Sequence, residues 1–438
     1  MKLLIWGCVL FYKKILIKGC LKALVTGLFL GAGVFCYAQT IIEIEVQENK
    51  KTKTSFIKSL LETRTGQPLD SLQLERDVQR LRREPGVSHA YFQVHELEDP
   101  AYCKVVFGVQ ENWTIIPFFN FYTTNEDELA YRLGINEFNA LGRGIGIGLF
   151  YQNDIFDSYG LDFRAPYLFN KHWGVSLSAH SLTTQEPVFF DNNVAQYRYN
   201  NTSFSAGIMY QYNLAHRAEV GFSLFSEDYS YISGAVADQV PQQLKVDKFL
   251  VKLIYDYNNI KYYFQYLNGF RSLFNLQYVE SQDQSLPSFT IWRNDFFYFQ
   301  RVGKRGNWAN RLRIGFSSND DSPFAPFAVD NNLNIRGVGN TIDRGTAAIV
   351  LNTEYRHTFV DKDWFVFQGN FFVDAGSWRN PGGPLSDFGD QQNLRIYPGI
   401  GMRFIHKRIF NTVLRIDYGV GVTPGATRGF VFGIGQYF

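Results

Sequence analysis

The chain contains 438 residues, of which 17% are aromatic, with 41 Phe, 26 Tyr and 38 Gly but only 3 Met. Aromatic side chains suit the pleated surface of a sheet and glycine marks bends and turns, so this composition favours strands. No run of about 18 apolar residues follows the N-terminal segment, which excludes a helical membrane span there. If the protein crosses a membrane, it must do so as a β-barrel.

The N-terminal segment has the features of a secretory signal. Four lysines precede the apolar run Ala23–Cys36, and a small residue lies just before the expected cleavage at Gln39. We therefore predict that residues 1–38 are a signal peptide and that the mature chain starts at Gln39. A lipoprotein signal with Cys36 as the lipidated residue is disfavoured, because bulky Phe35 occupies a position that requires a small side chain.

Removal of the signal changes the charge and cysteine totals. The signal carries five of the 43 basic residues and no acidic residue, so the mature chain has 38 basic and 41 acidic side chains and a net charge of −3. Nucleic acid is therefore not expected as a partner. Three of the four cysteines also leave with the signal, so Cys103 cannot form an internal disulfide. An exported chain without disulfides must be stabilised by packing or by a closed sheet.

Residues 39–112 combine strand and helix patterns. The pattern predicts a strand at Ile42–Val46, a helix at Phe56–Leu61, a helix that starts near Asp70 or Ser71 and stops at Pro85-Gly86, and strands at Ala90–Val94 and Cys103–Val109. Leu74, Val78 and Leu81 fall on one face of the second helix. The predicted unit is one small α+β domain of order β-α-α-β-β.

Three segments of this domain carry a family resemblance: Gly66-Gln67-Pro68-Leu69-Asp70, the helix LERDVQRLRREPGV and the closing strand VVFGVQENW. They resemble a POTRA domain, the periplasmic module of the outer-membrane assembly factors typified by BamA and TamA. The resemblance implies a partner-binding module whose exposed strand edge accepts an extended peptide by β-augmentation. The implied partners are unfolded or nascent outer-membrane or secreted proteins, together with accessory proteins. A domain that only spaces the rest of the chain is the alternative.

From Trp113 to Phe438 the helical period disappears, and segments of about ten residues alternate apolar and polar side chains. Leu149, Leu161, Val220 and Phe222 belong to the apolar rows. This repeated dyad is typical of an outer-membrane barrel in which lipid-facing and lumen-facing residues take turns. The segment 113–438 is long enough for about 16 antiparallel strands. The predicted fold is a membrane β-barrel preceded by the α+β domain, and a soluble β-sandwich or propeller is the competing architecture.

The strands near the C-terminus place their charges on one face. The residues predicted to face the lumen are Glu354, Arg356, Asp374, Arg415 and Asp417. Apolar residues such as Leu351, Phe371 and Ile416 lie on the opposite face. A charge on the lipid face at mid-membrane would cost on the order of 2 to 4 kcal/mol, which favours the lumen for the charged row.

These strands extend the resemblance over essentially the whole mature chain. Successive motifs similar to those of the BamA/TamA superfamily are Glu137-Phe138-Asn139-Ala140-Leu141-Gly142-Arg143-Gly144, Glu354-Tyr355-Arg356, Phe372-Val373-Asp374-Ala375-Gly376, Arg415-Ile416-Asp417-Tyr418-Gly419 and the terminal FVFGIGQYF. The ordered set is more specific than any single motif. It implies a barrel in the outer membrane and an N-terminal domain in the periplasm, with the lipid bilayer as a further partner.

A long polar loop runs from Ser317 to Thr346 and contains Ile335-Arg336-Gly337. A loop of this length is uncommon unless it is functional, although a plain turn closed by Gly337 is the simpler interpretation. The resemblance matches these three residues to the family's valine-arginine-glycine-aromatic tip, which folds back from the sixth extracellular loop into the lumen. There the arginine contacts an acidic residue of the wall, matched here by Asp374. Val338 stands where the family has Phe or Tyr.

The first strand, near residues 113–122, and the last, near 428–438, must pair to close the barrel. The residues predicted to form this seam are Trp113, Gly429, Gly433, Gly435 and Phe438. The glycines weaken the final strand, so the seam could open and template the edge of a client strand. Close packing of loop residues against small side chains is the alternative explanation for the glycines. Phe438 is expected to continue the apolar row of the final strand.

Motifs for catalysis and for metal binding are missing from the sequence. There is no G-x-S-x-G elbow, no HExxH and no Cys/His metal spacing among the seven His. We therefore predict no enzymatic activity, no metal site and no cofactor. The predicted function is outer-membrane protein insertion or assembly, or protein translocation. A dedicated secretion pore of the two-partner type and a passive porin-like barrel remain open as alternatives.

Overall fold

The computed structural model describes residues 39–123, 129–190, 193–236, 241–283, 286–320, 326–329, 334–338, 343–410 and 412–438. The predicted signal peptide at residues 1–38 lies outside this part of the chain. No helix within the described ranges is long and apolar enough to cross a membrane.

The N-terminal domain folds in the predicted order. Its elements are β1 (Thr40–Gln47), α1 (Thr54–Leu60), α2 (Ser71–Arg82), β2 (Val87–Glu96) and β3 (Tyr102–Glu111). β3 lies in the centre of the sheet, parallel to β1 and antiparallel to β2. The Asp70 carboxylate caps α2 by accepting hydrogen bonds from backbone N–H groups of the first turn. Leu74, Val78 and Leu81 therefore project from one face of α2 into the core.

Sixteen spanning strands form an antiparallel barrel. The remaining strands in chain order are β4 (Ile115–Thr123), β5 (Leu129–Ala140), β6 (Ile145–Asp154), β7 (Phe156–Ala165), β8 (Trp173–Phe190), β9 (Asn193–Gln211), β10 (His216–Gly234), β11 (Gln243–Asn258), β12 (Lys261–Tyr263), β13 (Tyr266–Ser281), β14 (Phe289–Val302), β15 (Gly306–Ser317), β16 (Phe327–Val329), β17 (Asp343–Gly345), β18 (Ala347–Asp361), β19 (Phe365–Arg379), β20 (Leu394–His406), β21 (Val413–Val420) and β22 (Arg428–Ile434). The three-residue strands β12, β16 and β17 do not span the membrane.

Side chains alternate between the lipid face and the lumen along the spanning strands. Leu149, Val220 and Phe371, which are predicted to face outward, are exposed on the outer surface. Glu354 and Asp374 are buried inside the barrel. The membrane barrel predicted from the dyad pattern is therefore confirmed.

β4 and β22 meet where the barrel closes. The other neighbouring spanning strands share registers of at least seven paired residues, the shortest being those of β7–β8, β20–β21 and β21–β22. Trp113, just before β4, pairs with the turn after β20: its N–H donates to the Arg408 carbonyl at 2.8 Å, and the Phe410 N–H donates to its carbonyl at 3.0 Å. The barrel is therefore closed by β4 and β22 as hydrogen-bonded neighbours, with Trp113 bound to the adjacent turn.

Strand length differs around the barrel. β8, β9 and β10 contain 18, 19 and 19 residues, whereas β4, β21 and β22 at the seam contain 9, 8 and 7. The wall of the barrel is therefore built from longer strands on the side of β8, β9 and β10 than at the seam.

The N-terminal domain docks on the periplasmic turns of the barrel. Lys51 Nζ lies 2.6 Å from Glu137 Oε2, and Asn139 Nδ2 donates a hydrogen bond to Thr52 Oγ1 at 2.9 Å. Both barrel residues belong to the motif Glu137–Gly144 that ends β5. This motif therefore positions the domain beneath the mouth of the barrel.

Candidate functional site

The loop between β15 and β18 places a buried tip inside the barrel. β16 and β17, which lie within the loop, pair as a short antiparallel ribbon. The tip, Asn334–Val338, is buried at every residue. Ile335 and Val338 pack in one apolar cluster with Trp378 and Tyr397 of the wall. Two aromatic rings of the wall thus cover the tip, although Val338 itself has no ring.

Arg336 forms a bidentate ion pair with Asp374 of β19. Its Nε donates to Asp374 Oδ2 at 2.8 Å and its Nη2 donates to Oδ1 at 2.9 Å, while its backbone N–H donates to Oδ2 at 2.9 Å. Both side chains are 0% exposed. Such a bidentate, charge-assisted contact is directional as well as strong. Because neither charge is tolerated alone in the interior, the contact fixes the tip at one place on the wall.

Glu354 of β18 connects Arg336 to a wider network of charges. Arg336 Nη1 donates to Glu354 Oε2 at 2.5 Å. Glu354 also accepts hydrogen bonds from Arg356 Nε and, at 3.4 Å, from Arg403 Nη2. Arg403 Nη1 donates in turn to Asp417 Oδ1 at 2.7 Å. The network therefore spans β18, β19, β20 and β21.

Positive charge exceeds negative charge in this network. Arg415 Nη1 lies 3.5 Å from Asp417 Oδ2, so the described members are four arginines and three carboxylates. Aromatic rings compensate: the ring centroids of Phe372 and Tyr437 lie 3.7 Å and 4.6 Å from Arg336 Cζ. Tyr437 also lies 4.8 Å from Arg415 Cζ. The negative faces of these rings stabilise the excess cation.

Glycines let the loop tip touch the backbone of the wall. Gly337 has a φ of 94°, in the left-handed region that favours glycine. A Cβ on Gly337 would lie 2.7 Å from the Gly419 Cα, and a Cβ on Gly419 would lie 2.3 Å from the Arg336 carbonyl oxygen. A Cβ on Gly429 would lie 3.5 Å from the Gly337 carbonyl oxygen. The tip therefore rests on β21 and β22, directly beside the seam.

The other predicted seam residues occupy different places. Trp113 lies before β4 and contacts the turn between β20 and β21. Gly433 of β22 makes room for Arg415, whose Nη2 would lie 2.7 Å from a Cβ at Gly433. Gly435, with a φ of 94°, follows the last strand and redirects the chain. That these residues form a seam that opens stays a prediction.

The C-terminal residues turn into the lumen. Phe438 packs against a cluster that contains Ile260, Phe299 and Ala309. The expectation that Phe438 continues the apolar outward row of the last strand is wrong, because left-handed Gly435 breaks the strand and its alternation.

Three residues of the network were not predicted from the sequence. Arg403 faces the lumen from β20, and the alternation of apolar and polar residues along Leu394–His406 would have revealed it. Phe372 is an aromatic residue on the lumen face, which the polar-inside rule does not predict. Tyr437 reaches Arg336 only because the chain turns at Gly435, and no periodic pattern carries that signal.

Two sequence profiles match the chain. The Omp85 superfamily domain matches residues 139–438, and the POTRA profile, described as a surface antigen variable number repeat, matches residues 39–111. No curated protein sequence matches significantly.

Solved structures share the fold. BamA from Haemophilus ducreyi lacking POTRA domains 1-3 matches with a TM-score of 0.53 at 15% identity, over 91% of this chain and 84% of that chain. CdiB from Acinetobacter baumannii matches with a TM-score of 0.57 at 13% identity, over 91% and 74% of the two chains. CdiB from Escherichia coli matches with a TM-score of 0.58 at 12% identity, over 90% and 75%.

At these identities the structural likeness concerns the fold. The Omp85 profile, by contrast, spans more than half of the sequence and follows a POTRA repeat. The protein is therefore a member of the Omp85 superfamily, with its barrel in the outer membrane and its POTRA domain in the periplasm.

Proposed function

We propose that the protein inserts client polypeptides into the outer membrane or moves them across it. The observation that carries the proposal is the seam: β4 and β22 close the barrel as its first and last spanning strands, and β22, with seven residues, is the shortest of the sixteen. Backbone N–H and C=O groups that are freed when such a junction opens are a template for another strand. A client strand could therefore pair with β4 or β22 while the rest of the barrel stays intact.

The loop tip controls this seam in our proposal. The tip lies on Gly419 of β21 and Gly429 of β22, and Arg336 fastens it to β18 and β19. The tip thus holds β18, β19, β21 and β22 together, whereas β4 can separate from β22.

The POTRA domain supplies client capture. β1 and β2 are the two outer strands of its sheet. An extended segment of an unfolded outer-membrane or secreted protein can add to such an edge through main-chain hydrogen bonds, which requires little sequence specificity. Accessory proteins would use the same kind of contact.

The test is an assembly assay in liposomes. Purified protein would be reconstituted, a urea-unfolded small outer-membrane barrel added, and folding followed by the mobility shift of heat-resistant barrels on gels. Faster folding than in empty liposomes is expected, with the rate reduced in Arg336→Ala. The exposed Arg198, whose guanidinium lies over the Phe156 ring, provides the matched control Arg198→Gln. Equal folding rates with and without the protein would contradict the proposal.

Depletion in cells separates the alternatives. Loss of many outer-membrane proteins supports general insertion, whereas loss of a single secreted protein indicates a dedicated secretion pore. Normal levels of all of them, together with a steady channel conductance that is insensitive to Arg336→Ala, indicate a passive barrel.

A further inference from the structure

A cavity of about 650 Å³ lies between the POTRA domain and the periplasmic mouth of the barrel. This volume is in the range of about 300 to 1,000 Å³ that is usual for ligand pockets. One wall is formed by the end of α2 and the start of β2, with Arg82 and His89. The opposite wall is formed by lumen-facing residues of the barrel, with Arg271 and Phe299. The cavity thus lies on the route from the POTRA domain to the lumen.

The cavity lining is strongly cationic. Among the described residues it contains eight Lys or Arg and two carboxylates, Glu84 and Asp256. Four of the cations have acidic partners outside the lining: Arg80 and Lys171 share Glu62, Arg356 binds Glu354, and Lys407 binds Asp361. Because Glu62 serves two cations, one positive charge of this group stays uncompensated, and the remaining four cations carry most of the excess.

Arg82 and Arg83 have only neutral partners among the described residues. Arg82 Nε donates to the Ala90 carbonyl at 2.9 Å, and its Cζ lies 5.0 Å from the centroid of the Tyr263 ring. Arg83 donates to two carbonyl oxygens of barrel turns, those of Leu214 and, at 2.9 Å, Ile260.

Arg217 and Arg271 share one carboxylate, that of Asp256. Arg217 Nη2 lies 2.9 Å and Arg271 Nε lies 2.8 Å from its oxygens. Glu84, the other lining carboxylate, accepts a hydrogen bond from the Tyr167 hydroxyl at 2.6 Å and makes no ion pair in the described chain. The mouth therefore holds about three uncompensated positive charges in a mature chain whose net charge is −3.

We infer that this cavity binds acidic segments of the client polypeptide, which it selects and draws toward the lumen. The inference rests on the proposed function and names its kind of client. Carboxylates of the segment would meet Arg82 and Arg271, and its apolar side chains would meet Tyr262, Phe264 and Phe299, which also line the cavity. A polypeptide is favoured over a lipid because both walls belong to the POTRA domain and the lumen face, away from the outer surface of the barrel.

The inference is tested by peptide binding to the full-length purified protein. Fluorescein-labelled oligoglutamate, oligolysine and neutral Gly-Ser peptides of equal length would be compared by anisotropy at low and high salt. Only the oligoglutamate should bind, and binding should weaken at high salt because the charges are screened. Arg82→Gln and Arg271→Gln should each raise its Kd about fivefold, as expected for the loss of one charge contact near water. Arg198→Gln, at the extracellular end, should leave the Kd unchanged.

Three outcomes would overturn the inference. They are equal binding of oligoglutamate and oligolysine, a Kd that neither Arg82→Gln nor Arg271→Gln alters in correctly folded barrels, and displacement of the peptide by vesicles of anionic phospholipid, which would assign the cavity to lipid. Peptide binding needs no assembly activity. Acidic-peptide binding without accelerated barrel folding would therefore refute the proposed function alone, and accelerated folding without peptide selectivity would refute this inference alone.

Discussion

Arg336 owes its position to partners on β18 and β19 and to an aromatic ring of the C-terminal tail. The Arg336 guanidinium donates hydrogen bonds to both carboxylate oxygens of Asp374 and to one oxygen of Glu354. The Tyr437 ring lies over the plane of the guanidinium. A buried ion pair of this kind contributes little more to the free energy of folding than well-packed apolar residues would, but removing one partner leaves a buried charge without compensation. Its main effect is therefore to specify where the loop tip sits.

Removal of either partner should be costly. Arg336→Ala and Asp374→Asn should each lower the free energy of unfolding by about 3 to 5 kcal/mol, because the remaining charge stays buried alone. The double variant should cost little more than one single variant, which denaturant unfolding in detergent would reveal. The partly exposed pair Lys51–Glu137, with side chains 43% and 21% accessible, is the control and should contribute about 1 kcal/mol or less. Additive effects of Arg336→Ala and Asp374→Asn would show that the two residues are not coupled.

Gly419 should tolerate no side chain. A methyl group there would lie 2.3 Å from the Arg336 carbonyl oxygen, so Gly419→Ala must displace the loop tip or the strand. We expect a loss of about 1 to 3 kcal/mol in the free energy of unfolding, as is usual for overpacking. Gly389→Ala is the matched control, since a Cβ there would meet no atom within 4 Å. Equal stability of the two variants in urea titrations would argue against close contact between the tip and β21.

At the scale of elements, the junction between the POTRA domain and the barrel contains a titratable contact. Glu84, which follows α2, accepts a hydrogen bond from Tyr167 in the turn between β7 and β8 at 2.6 Å. Burial raises the pKa of Glu84 to about 7 from its ordinary value of 4.5. The folded junction therefore favours the neutral acid.

The pH dependence follows from that direction. Stability from a raised pKa is fully present below about pH 4.5 and is lost as the pH rises through about 7, a change on the order of 3 kcal/mol. Hydrogen exchange at the turn that carries Tyr167 should accelerate between about pH 4.5 and 7 after correction for the intrinsic rate. Glu84→Gln should abolish that dependence. A wild-type junction whose corrected exchange is constant over this range would contradict the assignment.

The elements differ in how far the sequence predicts them. Spanning strands follow from the dyad because one face meets lipid, which places Leu149 and Phe371 outside and Glu354 and Asp374 inside. Arg336 was found only because its motif resembles a known one, since a long loop has no periodicity. The inward turn at Gly435 and the ring of Tyr437 depend on tertiary packing, which a pattern of single residues does not encode.

At the scale of the whole molecule, two positively charged regions lie in series. The cavity beneath the mouth and the arginine-rich network around Arg336 are both built from residues distant in the chain. The sequence predicts that Arg356 and Arg415 face the lumen, but its net charge of −3 for the mature chain gives no sign of the cationic cavity. Charge distribution in a barrel depends on register and closure, and these are fixed by the three-dimensional pairing.

The unequal strand lengths have a consequence for the surrounding lipid. The seven residues of β22 extend over roughly 23 Å along the strand, and strand tilt reduces the height they cover to well under the 30 Å thickness of a typical hydrocarbon core. The outward-facing Phe430 and Phe432 lie on this short strand. Acyl chains beside β22 must therefore compress or disorder to avoid exposing the hydrocarbon core to polar groups. We therefore expect the hydrocarbon core to be thinnest beside β22, the strand at which the proposed function places client entry.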